Sequence, residues 1–208
     1  MSTAIAAMAA VTERLRFATS VYILPLRSPF QVAKTLATAA VLSGNRVVLG
    51  TGAGWMREEF DIMGVDFKTR GKRFDESIEV CRKLWKGGMV EHHGEFFDFP
   101  ALQMAPAPTE TVPVWIGGVS NVALRRAGTI GDGWLGSGQT PEEGVEMLST
   151  IAEHRKAAAV RDALIGRSGP RWLLGVGRLR FGSLSKAGRA GQGCGQGDPE
   201  HAKRISSG

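Results

Sequence analysis

The chain has little of what marks several common classes of protein. Its two cysteines, Cys81 and Cys194, are too few for a disulfide framework and lack metal-ligand spacing, so we expect a cytoplasmic protein without a metal site. No apolar run approaches the ~20 residues that a membrane span needs. The alanine-rich start at 1–15 lacks the basic region and the strongly apolar core of a signal peptide, and it predicts a helix. We therefore expect no membrane partner.

Most of the chain also lacks a basic surface for nucleic acid. The net charge is +6, but residues 161–208 carry nine Lys or Arg and three Asp or Glu and account for all of it. That segment has 11 glycines and little apolar patterning beyond RWLLGV at 171–176, which predicts a mostly disordered tail. We divide the chain into a domain at 1–160 and a tail at 161–208. Nucleic-acid binding through the tail would rest on charge alone, and we predict no such partner.

Two nucleotide-binding motifs are incomplete in the stretch RVVLGTGAGW at 46–55. A dinucleotide fingerprint needs a third glycine where this chain has Trp55, and a phosphate-loop NTPase needs a G-K-[ST] that does not follow. These gaps argue against a Rossmann site and exclude a phosphate-loop NTPase. Glycines directly behind an apolar strand still indicate close approach to a phosphate-bearing ligand of another kind.

Strand signals alternate with helix signals from residue 15 to about 158. The predicted strands are 15–23, 46–50, 112–118 and 132–138, and the predicted helices are 28–44, 72–86, 120–128 and one that begins near 140. This order predicts βα units on a parallel sheet, and apolar strands agree with a sheet covered on both faces. The segment 90–99 predicts an inserted hairpin, in which His92 and His93 point to opposite faces and do not jointly chelate a metal.

Cap residues support the helix boundaries. Ser28 is the predicted N-cap of the first of these helices, and Gly44 its stop. Ser120 precedes the third helix, and Thr140 with Glu143 forms a capping box at the start of the last one.

Several segments, in this order, resemble the bacterial luciferase-like family of flavin- and deazaflavin-dependent oxidoreductases. They are ATSVYILPLRSPFQVAKTLATAAVLSGNRVVLGTGAGWMREEF, RFDESIEVCRKLW, HGEFFDF, PVWIGG and GDGW, and they cover about residues 5–155. The nearest branch uses coenzyme F420, a 5-deazaflavin, and an FMN branch shares the scaffold. The resemblance implies an α/β fold, a (β/α)8 TIM barrel with its site at the carboxyl ends of the strands. This chain would hold the third to sixth units and lack strands at both ends.

The resemblance also implies where the cofactor ring lies. Ser20 and Val21 belong to the family's third strand, which commonly carries a non-proline cis peptide that backs the central ring. We expect that cis peptide between Ser20 and Val21. Thr51, Gly52 and Gly54 end the fourth strand, where glycine lets the backbone approach the ring and its side chain.

The cofactor phosphate is implied at Gly117, Gly118, Val119 and Ser120, where a glycine pair leads into a helix N-terminus. Ser120 can also be a plain N-cap, and the two roles are compatible. Some deazaflavin enzymes of the family place a carboxylate in the fourth-strand loop, where this chain has Ala53. We therefore identify no catalytic residue.

These observations predict an oxidoreductase that transfers a hydride between coenzyme F420 and a small organic substrate. An FMN-dependent monooxygenase is the alternative within the family. A non-catalytic cofactor-binding remnant, or a pseudogene product, is the alternative outside it. Four units of a barrel leave two open sheet edges, through which we expect a homo-oligomer to form.

Overall fold

The computed structural model describes residues 2–164. The helices are α1 (Ser2–Ala10), α2 (Pro29–Ser43), α3 (Arg57–Ile62), α4 (Arg70–Trp85), α5 (Asn121–Thr129) and α6 (Pro141–Leu164). The strands are β1 (Phe17–Ala18), β2 (Tyr22–Ile23), β3 (Val47–Gly52), β4 (Met89–His93), β5 (Asp98–Gln103), β6 (Val114–Gly117) and β7 (Gly133–Leu135). Almost all of the predicted tail, including the strand-like segment at 171–176, lies outside the described residues.

A parallel sheet in chain order forms the centre of the fold. β1 and β2 pair with one edge of β3, β6 pairs with the other edge, and β7 follows β6. Thr51 of β3 therefore lies between Tyr22 and Ile116. Parallel neighbours that follow the chain are the product of successive βα units, so the prediction of a partial (β/α)8 barrel is confirmed.

The strand predicted at 15–23 is interrupted. β1 ends at Ala18 and β2 begins only at Tyr22, while the residues between them leave the ladder. The short helix α3 is a second difference, since the alternation of signals does not predict it. Phe60 on α3 is completely buried, whereas the other five residues of this helix are exposed.

The helix boundaries follow the cap residues closely. Gly44 ends α2 in the left-handed conformation with φ +65°, although the side chain of Ser28 makes no capping bond. The capping box of α6 is complete: Thr140 N donates to Glu143 Oε2 and Glu143 N donates to Thr140 Oγ1. Among the helices of residues 2–164, none combines the length and apolar character that crossing a bilayer requires.

The hydrophobic core lies between the sheet and the helices on its outer face. Val47 and Leu49 of β3 pack there with Phe74 and Ile78 of α4. Cys81 of α4 belongs to the same core, and burial raises the pKa of its thiol to about 12. Alternate β3 residues thus serve this core and leave Gly50 and Gly52 facing the other side of the sheet.

Arg46, just before β3, joins α1 to the body of the domain. Its guanidinium donates to Ala9 O at 3.0 Å, Leu15 O at 2.9 Å and Thr12 Oγ1 at 3.1 Å. It also donates to Ser43 O at 2.6 Å, at the end of α2. The carbonyl ends of two helices are therefore satisfied by one cation, which also suits their dipoles.

The inserted hairpin, β4 and β5, is present and is fixed to α4 through Glu76. The Glu76 carboxylate accepts from Phe96 N and from Phe97 N at 2.8 Å. His92 is buried, with its Nε2 3.2 Å from Glu76 Oε1, whereas His93 is exposed. The two histidines thus point to opposite faces, as predicted.

Two edges of the parallel sheet have no strand partner within residues 2–164. One is the edge of β1 and β2 that faces away from β3, and the other is the outer edge of β7. Such edges present N–H and C=O groups that can pair with another strand.

Candidate functional site

The strand register brings the carboxyl ends of β2, β3, β6 and β7 together. Ile23 pairs with Gly52, Thr51 pairs with Ile116, and Gly117 pairs with Leu135. The predicted residues at 20–21, 51–54 and 117–120 therefore meet at one edge of the sheet, although they are far apart in the chain. This is the edge at which barrel enzymes carry their sites.

The segment between β1 and β2 lies against glycines of the neighbouring strands. The Ser20–Val21 peptide bond is cis, as expected from the resemblance. A Cβ atom added at Gly50 would lie 1.8 Å from the carbonyl oxygen of Thr19. A Cβ added at Gly117 would lie 2.9 Å from Val21 Cγ1, and one at Gly52 would lie 3.6 Å from the same methyl. The side chain of Val21 therefore packs on Gly52 of β3 and Gly117 of β6, which together we call the glycine seat.

These contacts give a different physical reason for glycine at these positions. We predicted that glycine would admit a ligand directly, but Gly50 and Gly117 first make room for the segment 19–21. Val21 itself is 46% exposed, so part of the residue stays open at this edge while its methyl groups contact the seat. Sequence reasoning did not select Gly50, although a glycine inside an apolar strand is the usual sign of a close backbone approach.

Two buried threonines lock this edge of the sheet. Thr19 Oγ1 donates to Gly50 O at 2.6 Å, and Thr51 Oγ1 donates to Tyr22 O at 2.7 Å. Thr51 is completely buried. Its hydroxyl thus joins β3 to β2, and the buried residue supports the site without being exposed at the edge where a ligand would bind.

The loop after β3 is held from three sides. Gly54 has φ +82°, and a Cβ there would lie within 3 Å of the Phe60 ring and of Ile23 Cγ2. Its carbonyl oxygen accepts from Arg70 Nε at 3.3 Å. Sequence reasoning missed Arg70, because its role depends on the fold bringing the start of α4 beside this loop.

The loop after β6 leads directly into α5. Gly118 has φ +117°, a conformation that L side chains rarely adopt. Ser120 is the N-cap, and its Oγ accepts from Ala123 N at 3.3 Å. The N–H groups of Asn121 and Val122 have no acceptor within the described residues. Together with the helix dipole, they form a suitable place for an anion.

Trp134 of β7 fixes the loop after β6 from the other side. Its indole Nε1 donates to Gly118 O at 2.8 Å. The GDGW segment carries part of the family resemblance, but no signal in the sequence singles out this contact. Among residues 2–164, no cluster of His, Cys, Asp or Glu is arranged to hold a metal ion.

Comparison with known proteins gives one family. A family model described as luciferase-like monooxygenase matches residues 1–176. An uncharacterized protein of Mycobacterium tuberculosis is 46% identical over 153 residues, which are 74% of this chain and 53% of that protein. The F420-dependent glucose-6-phosphate dehydrogenase of Rhodococcus erythropolis is 34% identical over 157 residues, which are 73% of this chain and 47% of that enzyme.

A similar fold is found in a solved structure. The crystal structure of a monooxygenase from Streptomyces bottropensis superposes with a TM-score of 0.68 at 26% identity, over 76% of this chain and 50% of that one. The chain spans about half the length of the curated relatives it matches.

Proposed function

Because the chain belongs to the luciferase-like monooxygenase family, we propose that it binds coenzyme F420 across the carboxyl ends of β2, β3 and β6. The proposed reaction of the whole barrel is hydride transfer to or from a small organic substrate. The observation that carries the proposal is the position of Val21 on its glycine seat, at the same edge as the uncovered N–H groups that begin α5.

The anionic part of the cofactor is assigned to the loop after β6. The N–H groups of Asn121 and Val122 would donate to a phosphate, and the partial positive charge of the helix N-terminus would favour it. Gly118 permits the loop conformation, with φ +117°, and a Cβ there would lie 3.0 Å from Ala123 Cβ of α5. The Trp134 bond to Gly118 O keeps the loop in place before a ligand arrives, which lowers the entropy cost of binding.

The ring is assigned to the exposed face of Val21. Its methyl groups offer an apolar support, and the seat on Gly52 and Gly117 limits their movement. When bound, a deazaflavin would supply the carbon centre that accepts or releases the hydride. The role of the protein is to orient that ring and to exclude water beside it, for which rigid packing at 19–21 is well suited.

An FMN-dependent monooxygenase is the second candidate. It is supported by the likeness to the Streptomyces monooxygenase and by Ala53, a residue without the carboxylate that some deazaflavin enzymes of the family carry there. The 34% identity to an enzyme described as F420-dependent supports the first candidate instead. A cofactor-binding chain without turnover is the candidate from another class.

Fluorescence titration of the purified chain with F420 and, separately, with FMN tests the proposal. We expect saturable binding of F420 at lower concentration than FMN, and a marked loss in Gly118→Val. Gly44→Val is the matched control, because Gly44 also has a positive φ but lies at the opposite end of the sheet. Tighter binding of FMN would favour the monooxygenase. Binding without turnover, measured with the whole barrel, would favour the non-catalytic alternative.

A further inference from the structure

Trp55 is the most exposed large aromatic side chain at the carboxyl edge of the sheet. It is 79% exposed and lies in the loop after β3, two residues before α3 begins. In the part of the chain that the structure describes, its indole N–H has no acceptor. Burial of this ring against a ligand would be favourable, and the ring lies at the edge of the sheet where barrel enzymes carry their sites.

The exposure does not come from a loose loop. On its N-terminal side, Gly54 is packed between Phe60 and Ile23, and its carbonyl is held by Arg70. On its C-terminal side, α3 is anchored by the same Phe60, whose ring meets Phe67 edge-on at 5.2 Å. The backbone on both sides of Trp55 is thus fixed by buried contacts, and the indole extends from a rigid frame.

The loops around Trp55 at this edge are apolar, and the nearby cations, Arg57 and Arg70, are both stacked on the Phe67 ring. Three more apolar residues at this edge are also exposed. Val21 lies just before β2, Met56 in the loop after β3 and Val119 in the loop after β6, and these three strands are neighbours. The loops that join β3 to α3, β6 to α5 and β7 to α6 contain no charged residue. An exposed apolar group on one rigid face is typical of a ligand site rather than of ordinary surface.

We propose that Trp55 contacts the substrate and that the substrate is an uncharged, ring-bearing apolar molecule. This inference rests on the proposed function, because it places the substrate beside the ring that lies on Val21. A phosphorylated sugar, the substrate class in the description of the Rhodococcus relative, needs cationic partners. The three loops do not supply them, and the nearby Arg57 and Arg70 are already engaged on the Phe67 ring, with Arg70 also donating to Gly54 O and Phe67 O. An indole face instead supplies apolar contact area at low entropy cost.

Isothermal titration calorimetry of the full chain, saturated with F420, tests the inference with 2-naphthol and glucose 6-phosphate as probes. We expect 2-naphthol to bind and its affinity to fall about tenfold in Trp55→Ala, as for the loss of one stacked aromatic contact. Trp55→Phe should restore most of that affinity, because it restores an aromatic face. Ile62→Ala is the matched control, since Ile62 is 83% exposed at the end of α3 and outside the proposed site.

Each other outcome overturns the inference. Equal 2-naphthol affinity in wild type and Trp55→Ala, no binding to the wild type, or tighter binding of glucose 6-phosphate would each do so. A fall in F420 affinity in Trp55→Ala would assign the indole to the cofactor instead of the substrate. If the wild type fails to bind F420, the proposed function fails, and the same titrations without F420 decide separately whether 2-naphthol depends on Trp55.

Discussion

Replacing Gly50 with alanine tests how the segment 19–21 is packed on β3. The added Cβ would lie 1.8 Å from Thr19 O and 2.6 Å from Leu135 Cδ1. The tip of Leu135 can rotate away, but the Thr19 carbonyl is backbone. Thr19 N donates to Val48 O, and Thr19 Oγ1 donates to Gly50 O itself. The new methyl group therefore forces apart two strands that hydrogen bonds hold together.

The expected cost follows from this obstruction. Overpacking of a core costs about 1–3 kcal/mol when side chains can adjust, and we expect about 3 kcal/mol or more here because the backbone must move. A net stability of roughly 5–15 kcal/mol makes this a large fraction of the total. With a urea dependence of about 1–3 kcal/mol per molar, the midpoint of unfolding should fall by about 1 M or more.

Urea denaturation followed by circular dichroism measures the change. Gly144→Ala is the control, because a Cβ there meets nothing within 4 Å and Gly144 lies inside α6. That variant should gain about 0.5–1 kcal/mol through the lower backbone entropy of alanine. A Gly50→Ala midpoint equal to that of the wild type would refute the close seating of Thr19 on Gly50.

Three further predictions concern the rest of the domain. Arg46→Ala should lower the free energy of unfolding by about 3 kcal/mol, since three backbone carbonyls lose a charged donor. In thermal unfolding, Arg46→Lys should recover only part of this loss, because an ammonium group cannot reproduce the planar set of N–H donors of a guanidinium. Burial raises the pKa of the Cys81 thiol to about 12, so this thiol stays protonated at pH 8. In the variant Cys194→Ser, which keeps Cys81 as its one thiol, Ellman's reagent should therefore react only after urea is added. Rapid reaction in the native protein would contradict this. We also propose that the open sheet edges pair with a second copy, that the chain alone is only marginally stable, and that it turns over poorly. A monodisperse monomer in gel filtration would contradict the first, a free energy of unfolding well inside the usual ~5–15 kcal/mol the second, and ordinary turnover the third.

Local patterns were sufficient for the order of the elements. Alternating strand and helix signals predicted the parallel sheet, and cap residues such as Gly44 and Thr140 predicted helix ends to within a residue or two. Such signals depend on contacts between neighbours in the chain, which a sequence displays directly. The short helix α3 was not predicted because it depends on the burial of Phe60 beside Gly54 and Phe67, contacts that no periodic pattern in the sequence displays.

The sequence by itself determined that glycine-rich turns follow two of the strands and that one of them enters a helix with a serine cap. Only the tertiary structure decided what the glycines accommodate: Gly50 and Gly117 lie under residues 19–21, some 30 and 100 positions away in the chain. Tertiary packing likewise brought Arg70 to the Gly54 carbonyl and Trp134 to the Gly118 carbonyl. The physical reason is that steric fit and hydrogen-bond partners between strands depend on register and pleat, which arise only when the sheet has formed.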